Sequence, residues 1–548
     1  MSTDPQPSVV LAGRRRWIAL VFISLGVAMI ILDATVVNVA IPSMVRDLGM
    51  TTNDAEWVNV AYSLTFASLL ILAGRIADRS GRRLVYVIGI AGFVVASVLV
   101  AASGSAIEVI GARALQGIGA ALILPSSLSI LNAIFTGRSR AIAFAVWGAT
   151  IGGMAALGPL VGGWLTTYAT WHWAFLINVP IGILVLVGVF AVVPETKDAS
   201  GRRGFDIPGT VLVTLGLLGV VFALIEGQRY GWLVQVKEFT IGAFTWPTGT
   251  VSVVLISAVL GIIALAVLLP MEHRRQRAGK IVVLNFELFK VRSFGAGNAV
   301  AVVVSLGEFG LLFSLPLFLQ SVRGYDALQT GVILLALALG SFIASGAGAA
   351  LSQRIGPVRV LQLGMALEVL GILVIGVVIS TTVTGWQLTP GLFLYGLGVG
   401  FATAQLTGVI LSEVPVAESG QASAVQSTAR QVGAAIGTAI LGTTLVISLG
   451  TQVTSALTTA GVPAAAADPV AQAMQASAGQ ALGGLGSQPG GQVLVEAAST
   501  GFASATSIVA WVAAGLVFLG LLTSLLLPRN AARIEAEGYE PPKEPAHA

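Results

Sequence analysis

The chain has 548 residues, 55% hydrophobic and only 10% charged, with a mean hydropathy of +0.90 and a formal net charge of +4. Soluble domains carry about a quarter charged residues, so this composition excludes a soluble globular protein and describes a polytopic membrane protein whose positive charge reports topology, not nucleic-acid binding. Cysteine is absent and the three histidines (His172, His273 and His547) fall in predicted loops or the tail, which leaves no disulfide, thiolate metal site or cysteine nucleophile. No H-E-x-x-H motif, Walker loop or nucleophile elbow occurs, so no enzyme activity, metal or cofactor is expected.

Apolar runs of spanning length, ~20 residues, fall near 17–41, 57–74, 84–103, 107–131, 140–166 and 173–193. Two more lie near 207–225 and 248–270, and a last group near 294–320, 329–350, 360–380, 389–411, 420–448 and 501–527, fourteen in all. The first run follows Arg14–Arg16, is too long for a signal-peptide core and lacks a small-residue cleavage site, so it reads as an uncleaved span. With both termini cytoplasmic, 23 of the 29 Lys and Arg residues lie on the cytoplasmic side, four lie outside, and Arg113 and Arg430 lie within spans. That bias is the positive-inside pattern.

The resulting organisation is a cytoplasmic N-terminus over 1–16, a six-helix unit over 17–194 and a linker with two inserted spans over 195–293. A second six-helix unit covers 294–528, including an external loop at 450–500 that has no Lys or Arg. A polar cytoplasmic tail follows at 529–548. The segment 280–294 alternates apolar and basic residues and predicts a short interfacial helix. Trp57, Trp164, Trp171 and Trp173 predict an outer aromatic belt.

Inside the first span, Asp33 stands in the stretch LDATVVNVAIP. A carboxylate in hydrocarbon is costly and marks an ion, proton or substrate path. Nine residues before Pro42, it lies about 13 Å from the outer helix end, and Arg113 sits about 10 Å deep in the fourth span. Similar depths allow an ion pair or water-bridged contact across a central cavity. Burial favours a proton on Asp33 and a nearby Arg113 opposes it, so a changing distance would load and unload a proton. The competing reading is a static structural pair.

The two units carry a repeat. GRIADRSGRR at 74–83 aligns with LSQRIGPVR at 351–359 at an offset of 275 residues, pairing Arg79 with Arg354 and Gly81 with Gly356. The same offset carries Asp33 to Glu308, and QGIGA at 116–120 matches YGLGV at 395–399 at an offset of 279. Such a pattern describes two six-helix halves related by duplication. Glu308 is then a second mid-membrane carboxylate, expected to carry a proton or meet a charged substrate. Tyr62, Phe66 and Trp147 are candidate cavity residues beside Asp33 and Glu308. Glu368 and Arg430 are a candidate structural pair.

These residues resemble the major facilitator superfamily, and within it the fourteen-spanning drug–proton antiporters. The resemblance rests on LDATVVNVAIP, GRIADRSGRR, RALQGIGAA, GGMAALGPLVGG and WHWAFLINVPIG. It implies an all-α major facilitator fold, with two six-helix bundles and two inserted helices. It implies that Gly74, Asp78, Arg79, Gly81, Arg82 and Arg83 form a cytoplasmic latch. It also implies that Gly153, Gly158, Pro159, Gly162 and Gly163 form a tight, leak-suppressing helix contact, although ordinary small-residue packing would look the same. The implied function is proton-coupled efflux of lipophilic, often cationic drugs across a bacterial plasma membrane by alternating access, with a small-molecule substrate, protons and the bilayer as partners and the chain a monomer. Export of an endogenous metabolite, peptide or lipid is the alternative; a sensor or channel is a third reading. In the second half Gln353 replaces the signature Asp and Leu392 falls where the first half has Arg113.

Overall fold

The computed structural model describes residues 13–50, 52–196, 206–241, 244–415, 418–477, 479–487 and 490–528. The chain-terminal segments 1–12 and 529–548 lie outside the described residues.

Long uninterrupted helices follow from the apolar runs, because backbone groups in hydrocarbon must be satisfied within the segment. The first six predicted spans become α1 (Arg14–Leu48), α2 (Thr52–Ser80), α3 (Arg82–Ala102), α4 (Ala106–Ile134), α5 (Gly137–Tyr168) and the broken pair α6 (Trp173–Leu176) and α7 (Asn178–Val192). The insertion forms α8 (Ile207–Tyr230), a hairpin of β1 (Phe239–Ile241) and β2 (Phe244–Trp246), and α9 (Val253–Arg277). The second half comprises α10 (Arg292–Ser321), α11 (Ala327–Ile355), α12 (Pro357–Val378), α13 (Gly385–Leu411), α14 (Ser419–Thr459), α15 (Ala464–Ala476), α16 (Leu482–Leu485) and α17 (Gly491–Thr523). Twelve helical segments among the described residues are long and apolar enough to cross a membrane. The two remaining predicted spans correspond to α5 and α10, 32 and 30 residues long.

Helix starts are chemically specified. Asp206 caps α8 through the Gly209 amide at 3.0 Å, and Ser252 caps α9 through Val254 at 3.1 Å. Asp326 and Gln329 form a reciprocal capping box on α11 at 2.7 and 3.0 Å.

In the first half α1 packs on α5 and α7, and α4 on α2 and α3; in the second, α13 packs on α11 and α12, and α10 on α14 and α17. The halves meet where α5 contacts α11 and α13, and where α2 and α4 contact α14. The repeat is visible in backbone and packing alike. Gly81 and Gly356 both take positive φ, 119° and 89°, a region that disfavours side chains. A Cβ on Gly117 would press on the Tyr62 carbonyl of α2, and one on Gly396 on the Leu337 carbonyl of α11.

Several expectations are refined. The stretch 450–500 is largely helical: α14 runs 41 residues, about 60 Å at 1.5 Å per residue, and overshoots a bilayer core of about 30 Å. Its C-terminal end packs against α15 through Leu449, Val453 and Leu457 facing Ala467, Val470 and Met474, so apolar residues there bury each other in helices. The short helix expected in 280–294 is a five-residue 3-10 helix, Phe286–Lys290, just before α10 begins. Of the four tryptophans, Trp164 and Trp173 are exposed as a belt requires, but Trp171 is buried and donates to Asp47 at 3.0 Å.

Candidate functional site

Asp33 sits on α1, 2% exposed, and α4 brings the fully buried Arg113 against it. Arg113 Nη1 donates to Asp33 Oδ2 at 2.5 Å. The other carboxylate oxygen accepts from Gln116 Nε2 at 3.1 Å and Asn178 Nδ2 at 2.7 Å. Both amides also donate to Ser97 Oγ, at 2.8 and 3.1 Å. Arg113 Nε donates to the Val58 carbonyl at 3.1 Å and Nη1 to Gln116 Oε1 at 2.8 Å. A buried charge pair needs such additional bonds, because Coulomb attraction alone does not repay desolvation.

Sequence reasoning found Asp33 and Arg113 but not Gln116, Asn178 or Ser97. Gln116 follows Arg113 by three residues, on the same helical face, and that spacing was a usable signal. Asn178 arrives only because the helix breaks at Ile177, between α6 and α7. Ser97 carries no sequence signal.

Beside this network lies a cavity of about 560 Å³ between the halves, within the range of small-molecule sites. Tyr62, Phe66, Trp147 and Glu308, the four singled out from sequence, line it together with Arg430. Asp33 does not line it, which corrects its placement as a cavity residue. Tyr62 stands between: its ring carries the Arg113 guanidinium at 4.4 Å on one side and stacks near Phe66 at 5.9 Å. Its hydroxyl donates to the Ile30 carbonyl at 3.3 Å. Trp147 is held by a bond from Nε1 to Ser127 Oγ at 2.9 Å.

Glu308 on α10 accepts from Arg430 Nη2 of α14 at 3.1 Å, and its Oε1 has no partner among the described residues. Arg430 therefore pairs with Glu308, not with Glu368 as expected. The reason is packing: α14 lies on α10, whereas α12, which carries Glu368, packs on α13 and α17. Glu368 is fully buried against Gly398 of α13, and neither carboxyl oxygen has a hydrogen-bond partner among the described residues. Each half thus pairs its repeat-related carboxylate with an arginine, but from non-equivalent helices.

At the arginine-rich end, Asp78 is buried and bridges the halves. Its Oδ1 accepts from Arg82 Nη2 and from the Gly420 amide, each at 2.9 Å, and Oδ2 accepts from the Gln421 amide at 2.9 Å. Those amides open α14, so the carboxylate caps a helix N-terminus whose dipole favours negative charge. Gly74 permits the approach, since a Cβ there would meet the Gly420 carbonyl and Ala424. Gly81 leaves room for Glu195, which accepts from the Arg83 amide at 3.0 Å, while Arg83 Nη1 reaches the Val193 carbonyl at 3.1 Å. Arg79 closes α2 in its last turn. Asn132 adds an unanticipated cross-half bond, donating to Ser419 Oγ at 2.8 Å.

On α5 the small residues face two ways. A Cβ on Gly158 or Gly162 would meet Thr35 or Val36 of α1; one on Gly153 would meet Phe342 of α11. Gly163 is buried, and Pro159 lies within the helix. The α5 stripe therefore touches both the helix bearing Asp33 and the opposite half.

The Major Facilitator Superfamily family model matches residues 23–246 and 218–438. The chain is 34% identical to the "Probable actinorhodin transporter" of Streptomyces coelicolor over 83% of its length and 77% of that protein's. It is 36% identical to a puromycin resistance protein of Streptomyces alboniger, covering 78% and 82%. To the multidrug efflux pump LfrA of Mycolicibacterium smegmatis it is 33% identical, covering 81% and 84%. Among solved structures, the proton:xylose symporter XylE superposes with a TM-score of 0.58 at 13% identity, over 95% of this chain and 99% of that one. Family model, relatives and fold agree with the repeat, the paired bundles and the central cavity: the chain belongs to the Major Facilitator Superfamily and is a multi-pass membrane transporter.

Proposed function

We propose that this transporter exports lipophilic, often cationic compounds from a bacterial cell in exchange for protons. It would work as a monomer in the plasma membrane with both termini cytoplasmic and the bundles 17–194 and 294–528 rocking about the cavity. The observation that carries the reading is the buried Asp33–Arg113 pair beside the cavity, with Tyr62 lining the cavity and lying against Arg113. A proton arriving from outside on Asp33 neutralises it and weakens its bond to Arg113; rearrangement then presents Asp33 to the cytoplasm, where the proton leaves and the pair re-forms. Tyr62 touches both compartments, so substrate in the cavity and charge on Asp33 bias one another through a shared side chain. Asp78 on the α14 N-terminus holds the cytoplasmic side closed in this state. The relatives' names, puromycin resistance and multidrug efflux, support drugs as substrates.

Purified protein in liposomes with an imposed pH gradient tests the reading. Ethidium should accumulate against its own gradient while the pH difference lasts, and collapse of the difference should stop it. Equilibration without accumulation would identify a channel instead. A second reading, export of an endogenous metabolite, is supported by the relative named for actinorhodin; a metabolite extract replacing ethidium in the same vesicles tests it.

A further inference from the structure

The insertion between the halves supplies part of the cavity itself. Val221, Leu224, Ile225 and Gln228 of α8 all line it, and their spacing of three, four and seven residues places them on one helical face. The helix packs on both α2 and α14. Toward α2, Trp57 stacks on Phe222 with ring centroids 6.4 Å apart. Toward α14, Gln228 Nε2 donates to the Ala439 carbonyl at 2.5 Å. Gly442 leaves the space this amide occupies, because a Cβ there would overlap it. Gln228 is exposed and lines the cavity, and with its nitrogen tied to α14 its Oε1 is the side chain's acceptor.

We propose that α8 is a substrate-selecting wall of the cavity and that Gln228 is a specificity residue. Val221, Leu224 and Ile225 receive the apolar body of a lipophilic compound, and Gln228 Oε1 accepts a hydrogen bond from an N–H or O–H group on it. This assignment rests on the export reading for its substrate class. Because the same helix is fixed to a half on either side, it also closes the crevice between α2 and α14 to lipid.

The natural absence of cysteine makes the test direct. In the full chain in liposomes, Leu224→Cys and Gln228→Cys should react with a small charged methanethiosulfonate far faster than Leu215→Cys, on the exposed outer face of α8. Equal rates at the three positions would overturn the wall. Binding to purified protein then reads selection. Leu224→Trp, which fills the cavity, should weaken both ethidium and tetraphenylphosphonium about tenfold or more. Gln228→Leu should weaken ethidium, which has N–H donors, by up to about tenfold and leave tetraphenylphosphonium, which has none, unchanged. Equal loss of both probes in Gln228→Leu would overturn the specificity role. A parent that binds neither probe would sink the drug-export reading while the labelling rates still decide whether α8 lines the cavity.

Discussion

Asp33 and Glu308 are repeat-related, yet their surroundings divide the work. Asp33 is enclosed by an arginine, two amides and a serine and never reaches the cavity surface, whereas Glu308 lines the cavity with one oxygen unpartnered. Asp33→Asn should therefore abolish gradient-driven export in vesicles while ethidium binding and membrane insertion persist; active export by that variant would remove Asp33 from the coupling step. Glu308→Gln should weaken binding of cations far more than of neutral compounds. Each net charge moved across 100 mV is worth about 2.3 kcal/mol, so vesicle currents with a monovalent and a divalent cation will show whether Glu308 also sets stoichiometry. Identical currents in variant and parent would confine it to binding. Glu368 is a different case. A carboxyl buried without a hydrogen-bond partner among the described residues is worth less than a well-packed apolar side chain of similar volume, so Glu368→Met should raise the apparent melting temperature of the purified protein.

At the scale of elements, α14 is held at its N-terminus by a side chain from the other half. Asp78→Asn removes the charge facing the helix dipole and the pair with Arg82. Breaking one partner of a buried pair costs about 3–5 kcal/mol, enough to move the population toward inward-facing states. Distances between spin labels at the Arg79 end of α2 and the Gly420 end of α14 should lengthen in this variant, and an unchanged distribution would leave the loop with a topological role alone. The α5 glycines act by exclusion. Gly158→Val would force Thr35, two residues from Asp33, out of its seat. Overpacking of this kind costs about 1–3 kcal/mol and should open a proton leak in vesicles without substrate.

For the molecule as a whole, the arginine-rich end is closed by bonds between halves, Asp78 to Gly420 and Gln421 and Asn132 to Ser419. The alternating access proposed above requires all of them to break together. Joining Asn132→Cys to Ser419→Cys with a short, reducible bis-thiol reagent should arrest export, and reduction should restore it; transport through an intact cross-link would show that these ends need not part.

The residue pattern by itself determined the membrane class, the span positions, the duplication and the two repeat-related carboxylates. Apolar run length, arginine bias and motif spacing are local quantities, and hydrocarbon permits few backbone solutions for them. Only the tertiary structure decided which arginine meets which carboxylate. The offset of 279 residues points from Arg113 to Leu392, whereas the partner of Glu308 comes from α14. Pairing depends on which helices pack, and α10 packs on α14 while α12 packs on α13 and α17. The same is true of Asn178, delivered by a break between α6 and α7, and of α8, whose cavity face becomes functional only through its place between α2 and α14. Long-range packing brings together residues far apart in the chain, and nothing in local periodicity encodes that choice.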